Sequence, residues 1–460
     1  MKTIVLATLL LAIPCLAADP PNVLFIISGD LGARLACYGE AAAKTPNIDL
    51  LATQGTLFER CYTQRPTCGP SRMSMLSGLY IHESGLNGQK SRITESRIPA
   101  ITLPHLFRKN GYTTARVGKV FHMGVPGDIG TAGTDDPQAW DLTVNNTGWD
   151  AKPENLAKVN RYGPRKDHSV AVTYLDPDIP DEEMVDGVGT HAALRLMKEQ
   201  HPEKTGKPLM LFMGYFRTHP PMIAPRRHWD AIDPQEIRLP EVPENDRQDM
   251  PKGALPLAGP GHNFLPAGIG RDYAHAYYAS IHFIDHEIGK LVAGLKTNGL
   301  ADNTIIVITG DQGFHLGEHN YWHKTSAFDP SCHVPLIIID PRAAAKGQRS
   351  AGLCGLIDLY PTLCDLAGIP PEHPLSGTSL APRLHDAARP GKDWELTQLQ
   401  NGVTLRTDRY RYTELKGGTM LYDLSADPHE WRNLAGKPSH AETERTLRNT
   451  LSSIIAPGKN

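Results

Sequence analysis

The five residues Cys68-Gly69-Pro70-Ser71-Arg72 put a sulfur nucleophile, a helix-starting proline and a guanidinium within about one helical turn. Proline suits the first turn of a helix, and RMSMLSGLY is expected to continue as one. Cys68 then stands at that helix's N-terminus, where free N–H groups and the dipole favour an anion. Arg72 adds a fixed positive fork suited to a tetrahedral oxyanion. On these residues alone, a half-buried cysteine ahead of an ordinary helix is the commoner reading.

Other residue types fit for chemistry follow short apolar runs that read as buried strands. Asn22–Ile27 leads into Asp30, Thr113–Val117 into Lys119 and His122, and Leu209–Met213 into His219. Thr304–Ile308 leads into Asp311 and Gln312, with Lys324 further on, and Val334–Ile339 forms a fifth run. Between them, Ile281, Ile284, Ile288, Leu291 and Leu295 recur at steps of three and four, which predicts a helix stopped near Gly299. A second helix is expected from Thr45-Pro46 to Gly55. Continuously apolar strands alternating with helices imply an α/β fold, a mostly parallel mixed sheet sandwiched by helices. The crevice of such a sheet lies beyond the strands' carboxyl ends. Asp30, Lys119, His122, His219 and Asp311 should therefore meet there, with the Pro-rich stretch Leu239–Pro266 as a surface excursion nearby.

After about His385 the alternation fades, and LRTDRYRYTEL and TMLYDL suggest a small antiparallel sheet before a final helix, Ala441–Ile455. The expected organisation is a leader at 1–17, a catalytic domain at 18–385 and a C-terminal α+β subdomain at 386–460. The leader reads as a secretory signal: Lys2, an apolar run Ile4–Ile13 and the small-x-small site Cys15-Leu16-Ala17. The run is too short for a permanent span, so the mature chain is expected to be exported, periplasmic or secreted. A net charge of -3 with no Lys/Arg block argues against nucleic acid as a partner. The six cysteines after the leader are scattered without a CxxC pair, which excludes a zinc knuckle; except for Cys68 they read as buried small hydrophobes, with room for one disulfide.

The chain resembles the type I sulfatases of the alkaline phosphatase superfamily. The resemblance runs through CGPSR, TPNIDLLATQGTLF, GKVFH, GYFRTHPP, GDQGFHLGEHNYWHK and LYDLSADPHEWRNL, most of the mature length. It leans to the iduronate-2-sulfatase-like branch through Lys119-x-x-His122, Trp322-x-Lys324 and RYRYTEL. The resemblance implies that a maturation enzyme oxidises Cys68 to formylglycine. The hydrate would attack the ester sulfur with one hydroxyl and expel sulfate through the other. It further implies that Lys119, Lys324, Arg72 and a divalent cation, calcium rather than magnesium, stabilise the sulfate oxygens. His219, with Lys324, would protonate the leaving oxygen, and His122 would act on the formylglycine hydroxyl.

The expected calcium ligands are Asp30, Asp311, Gln312 and position 68, but Gly29 stands where the family has a second aspartate. Water can replace a lost ligand, yet affinity follows ligand charge. One reading keeps a working enzyme with weakened metal; the other is a weakly active or non-catalytic binder of sulfated glycan. A third class, zinc phosphatases and phosphodiesterases, is raised by the four-residue steps of Asp311, His315 and His319, though the histidines read more economically as pocket-wall residues or supports behind it; formylglycine enzymes that cleave phosphonate or phosphate diesters are a further alternative within the superfamily. The implied substrate is sulfated glycosaminoglycan or algal polysaccharide, with a uronate 2-sulfate suggested; His82, Asn87, Arg217, Arg226 and Arg227 are wall candidates, for each of which a solvated loop residue is the commoner reading.

Overall fold

The computed structural model describes residues 19–256 and 261–455, so the expected leader lies outside the described residues. The apolar runs are strands β1 (Asn22–Ser28), β2 (Thr56–Tyr62), β3 (Thr113–Gly118), β4 (Leu142–Val144), β5 (Leu209–Tyr215), β6 (Thr304–Gly310), β7 (His333–Ile339) and β8 (Gln348–Gly355). They form one sheet in the order β8-β2-β7-β6-β1-β5-β3-β4. β1 runs parallel to both its neighbours, whereas β7 is antiparallel to both of its own. The sheet is therefore mostly parallel with one reversed strand, which carries Asp340 to the edge opposite the other strand ends.

Helices α1 (Pro46–Ala52), α2 (Cys68–Ser77), α3 (Val185–Glu199), α4 (Ala267–Thr297), α5 (Leu359–Ala367) and α6 (Ala441–Ile455) complete the frame. Alternate residues of the central strands feed two cores. Leu24, Ile26, Ile306 and Ile308 pack with α3 and α4, while Val23, Phe25, Ile305 and Val307 pack with α2 and α5. The five periodic residues of α4 are all buried. At roughly 1.5–3 kcal/mol each, they outweigh four helix glycines at about 1 kcal/mol apiece. That surplus lets α4 start at Ala267, ten residues before the apolar period begins at Tyr277.

α1 ends at Ala52 rather than at Gly55, the expected terminator. Gly55 instead allows a close approach to β7, since a Cβ there would lie 2.4 Å from the Ile338 carbonyl oxygen. After His385 a four-stranded antiparallel sheet follows, with β9 (Trp394–Gln398), β10 (Gly402–Thr407), β11 (Tyr410–Leu415) and β12 (Gly418–Asp423). Leu447 and Leu451 of α6 cover Leu405, Tyr412 and Leu421 of that sheet. β9, which lies ahead of the two expected segments, docks just before Cys68: Gln398 N donates to Gln64 O at 2.8 Å, and Gln64 Nε2 to Glu395 Oε1 at 2.9 Å. The cysteines among the described residues are all free thiols. No helix among them is long and apolar enough to cross a membrane.

Candidate active site

β1, β3, β5 and β6 end at one edge and deliver Asp30, Lys119, the loop carrying His219, and Asp311-Gln312 to one place. Asp30 is fully buried and adopts a left-handed φ of 60°. Its N–H donates to Asp311 Oδ1 at 2.8 Å, while its carbonyl accepts from Tyr277 OH at 2.8 Å and Thr218 Oγ1 at 3.0 Å. These three bonds hold the strained turn that aims the carboxylate at α2.

Cys68 is the first residue of α2, whose ten residues are all buried. Gln312 Nε2 stands 3.1 Å from its Sγ, Lys324 Nζ 3.2 Å, Asp30 Oδ1 3.6 Å and Lys119 Nζ 3.8 Å. His122 and His219 also reach the sulfur. Burial alone would raise the thiol, but Lys119 and Lys324 beside it, with these imidazoles, hold it well below its ordinary value. Burial also opposes charge on Lys324, yet Asp30 at 2.5 Å and Cys68 push it up, so the ammonium stays charged. Burial lowers Lys119 and His219. His219 Nδ1 lies 2.7 Å from the Pro220 carbonyl, to which it donates, and Nε2 stands 3.9 Å from Asp30 Oδ2.

Arg72 is placed differently from the expected oxyanion fork. Its Nε donates to Asp311 Oδ2 at 2.7 Å and its Nη1 to the Val120 carbonyl at 3.1 Å and the Lys119 carbonyl. Nη2 alone has no partner. Fully buried, Arg72 locks Asp311 against the β3 end that carries Lys119.

The oxygens at this edge fit a hard cation. Asp30 Oδ2 and Gln312 Oε1 are buried without a hydrogen-bond donor, and burial pushes the Asp30 carboxyl up despite His219 and Lys324. Such a carboxylate is short of positive charge. Among the described residues, Asp30, Cys68 and His219 form the one trio of His, Cys, Asp or Glu side chains close enough to share an ion. The His315 and His319 set does not assemble. His315 bonds Ser326 Oγ at 2.7 Å and His319 meets Asp246 at 3.1 Å, and neither lines the cleft over Cys68.

That cleft measures 480 Å³ and is lined by His122, His219 and Lys324 together with Asn87. The other expected wall residues lie elsewhere. Arg217 is buried against Asp150 and the Ile223 carbonyl, Arg226 and Arg227 pair with Asp176 and Asp181, and His82 stacks on Tyr80. In their place the walls hold Arg65, Gln89, His323 and the β9–β10 turn, Leu399 to Asn401. Arg65 was visible three residues before Cys68 as a cation; the turn carried no signal, because a distant sheet brings it in.

The family model described as Sulfatase matches residues 21–369, and the one described as N-sulphoglucosamine sulphohydrolase, C-terminal, matches residues 317–456. Iduronate 2-sulfatase of Homo sapiens is 32% identical over 418 residues, covering 82% of this chain and 73% of its own. A sulfatase of Formosa agariphila is 28% identical, covering 91% of this chain and 83% of its own. Among solved structures, the phosphonate monoester hydrolase of Agrobacterium radiobacter superposes with a TM-score of 0.79 at 22% identity, over 95% of each chain. At that identity the likeness speaks for the fold.

Proposed function

Because the chain belongs to the sulfatase family and is a sulfuric ester hydrolase, we propose that it desulfates an extracellular sulfated carbohydrate through a nucleophile matured from Cys68. The observation that carries this reading is the enclosure of Cys68 Sγ by Lys119, Lys324 and Gln312 within 3.8 Å at a buried helix start. Sγ stands in for a formylglycine hydroxyl oxygen, whose hydrate supplies attack on the ester sulfur and its own exit. A maturation enzyme of the exported compartment makes that group, which fits a leader at 1–17 and a mature catalytic domain at 18–385. The subdomain at 386–460 adds one wall of the cleft.

Lys119 and Lys324 face the sulfate oxygens as charge grows on them. His219 turns Nε2 toward the leaving oxygen and carries its proton, and His122 acts on the nucleophile's hydroxyl. Arg72 positions Asp311 and the Lys119 backbone. Asp30, Asp311, Gln312 and the group at position 68 would hold calcium, which would polarise the nucleophile and the sulfate when bound. Likeness to iduronate 2-sulfatase supports a uronate 2-sulfate as substrate, in a glycosaminoglycan or algal fragment.

Two measurements on protein from a host with the maturation enzyme test this. The Cys68 peptide is expected to carry the formylglycine mass, and defined sulfated disaccharides are expected to release sulfate when calcium is supplied. An unmodified thiol, or faster cleavage of a phosphonate monoester than of any sulfate ester, overturns it.

A further inference from the structure

Among the large buried arginines, the usual arrangement is a carboxylate partner. Arg72 meets Asp311, Arg116 meets Asp135, Arg217 meets Asp150 and Arg411 meets Glu430. Arg65, Arg383 and Arg406 are buried without such a partner, and of these three Arg65 is the one that lines the cleft over Cys68. It is only 7% exposed, yet burial alone acts on its guanidinium, lowering its pKa with no acid to raise it. An isolated buried cation is costly, and proteins rarely keep one without a counter-charge.

The side chain is nonetheless held firmly. Nη1 donates to the Leu399 carbonyl at 3.1 Å and to Asn87 Oδ1. The Arg65 carbonyl accepts from Thr63 Oγ1 at 2.8 Å and from Thr67 N at 2.7 Å. Among the described residues Nε and Nη2 have no hydrogen-bond partner, neither is among the sealed-off polar atoms, and Arg65 lines the cleft. Among the described residues that line that cleft there is no aspartate or glutamate, whereas His122, His219, His323 and Lys324 all line it. Lys324 is committed to Asp30 and Cys68, deeper in the site. Arg65 thus offers the N–H groups of two unpartnered nitrogens to a cleft that Lys324 also lines.

The geometry points to Arg65 as the receptor for a second anionic group on the substrate, a carboxylate or a second sulfate beside the ester that is cleaved. The assignment rests on the sulfatase reading above and deepens it, because it makes the cleft select sugars with two negative groups. A planar fork takes a carboxylate or sulfate edge through two parallel N–H···O bonds, which lysine cannot reproduce. Leu399 and Asn87 hold the fork before the ligand arrives, so little side-chain freedom is lost on binding.

Binding to the full chain carrying Cys68→Ala separates this role from turnover. The probes are a disaccharide with a 2-O-sulfated uronate, the same compound with its carboxyl reduced to an alcohol, and the alcohol bearing a sulfate on the neighbouring sugar. Calorimetry is expected to show the favoured dianion binding about 10- to 100-fold more tightly than the alcohol. Adding Arg65→Met should collapse that ratio to about threefold or less, with Arg65→Lys keeping part of it. Whichever dianion loses more identifies the group recognised. A parent protein without preference, or a ratio that survives Arg65→Met, overturns the assignment. Sulfate release by the Cys68-containing chain is scored separately. Turnover without an Arg65-dependent ratio refutes Arg65 alone, whereas an Arg65-dependent ratio without turnover refutes catalysis and leaves Arg65 standing.

Discussion

Replacing Gly29 with aspartate tests whether the cation site is short of one charge. Gly29 does not have a left-handed backbone; a Cβ there would lie 3.2 Å from the Phe216 carbonyl, 3.5 Å from His219 Cβ and 3.7 Å from Lys119 Nζ. The first contact requires a shift of a few tenths of an ångström, so the side chain is admissible and points into the site. Unit charges 4 Å apart interact by about 4 kcal/mol at an effective dielectric of 20, and a divalent ion doubles that. Burying the new carboxylate costs several kcal/mol, and Lys119 neutralises part of its charge. A net gain of about 1–3 kcal/mol remains, which is about 5- to 150-fold in calcium dissociation constant. The assay is calorimetric titration of calcium into chelator-stripped wild type, Gly29→Asp and Gly29→Asn. The amide supplies an oxygen without charge and should recover less than half of the gain. If Gly29→Asp binds calcium no better than wild type, or if Gly29→Asn matches it, a missing charge is not what distinguishes this site.

His219 is expected to set the falling, alkaline side of the kcat/KM profile. Burial lowers its pKa below the ordinary 6.5, so the protonated form needed at the leaving oxygen is lost as pH rises through that lowered value. His219→Gln should remove that limb and cut kcat by roughly 10²- to 10⁴-fold; a limb that persists in the variant would assign it to another group. Asp186 should prove structural. It accepts from Phe216 N at 2.8 Å and Arg217 N at 3.0 Å, and burial raises it to about 7. Asp186→Leu orphans two buried N–H groups in the loop that carries His219, at about 2–4 kcal/mol in urea unfolding; a loss under about 0.5 kcal/mol would show the loop is held by other contacts.

The strand ends were legible because a fully buried strand must break into polar residues where it leaves the sheet. Asp30, Lys119, His219 and Asp311 could therefore be read off the ends of apolar runs. Strand direction was not legible: Val334–Ile339 is as apolar as Val23–Ile27, and only its pairing with β2 and β6 shows that β7 is reversed. The role of Arg72 escaped for a related reason. A guanidinium four residues after a nucleophile suits an oxyanion, but its actual partner, Asp311, lies 239 residues away. Arg226 and Arg227 are the half-exposed residues that their commoner reading implies, paired with Asp176 and Asp181. The β9–β10 turn could not be found from local pattern at all, since only docking of Gln398 on Gln64 brings Leu399 to Arg65.

Gly29 also bears on how the lysines divide their work. Lys324 already meets Asp30 at 2.5 Å, so one site lysine is engaged by the carboxylate that remains. An aspartate at 29 would set a second carboxylate beside Lys119, whose Nζ would stand 3.7 Å from the added Cβ. That carboxylate would compete with the sulfate ester for the ammonium while it strengthened the grip on calcium. With glycine, Lys119 stands 3.8 Å from Cys68 and burial lowers its pKa against the pull of Cys68 and Asp311, so an arriving anion adds support for its charge. The two effects of Gly29→Asp should then oppose each other: tighter calcium, and a higher KM for the sulfate ester at saturating calcium. A variant that gained calcium affinity with KM unchanged would show that Lys119 does not bind the ground-state sulfate, leaving that task to Lys324 and His219.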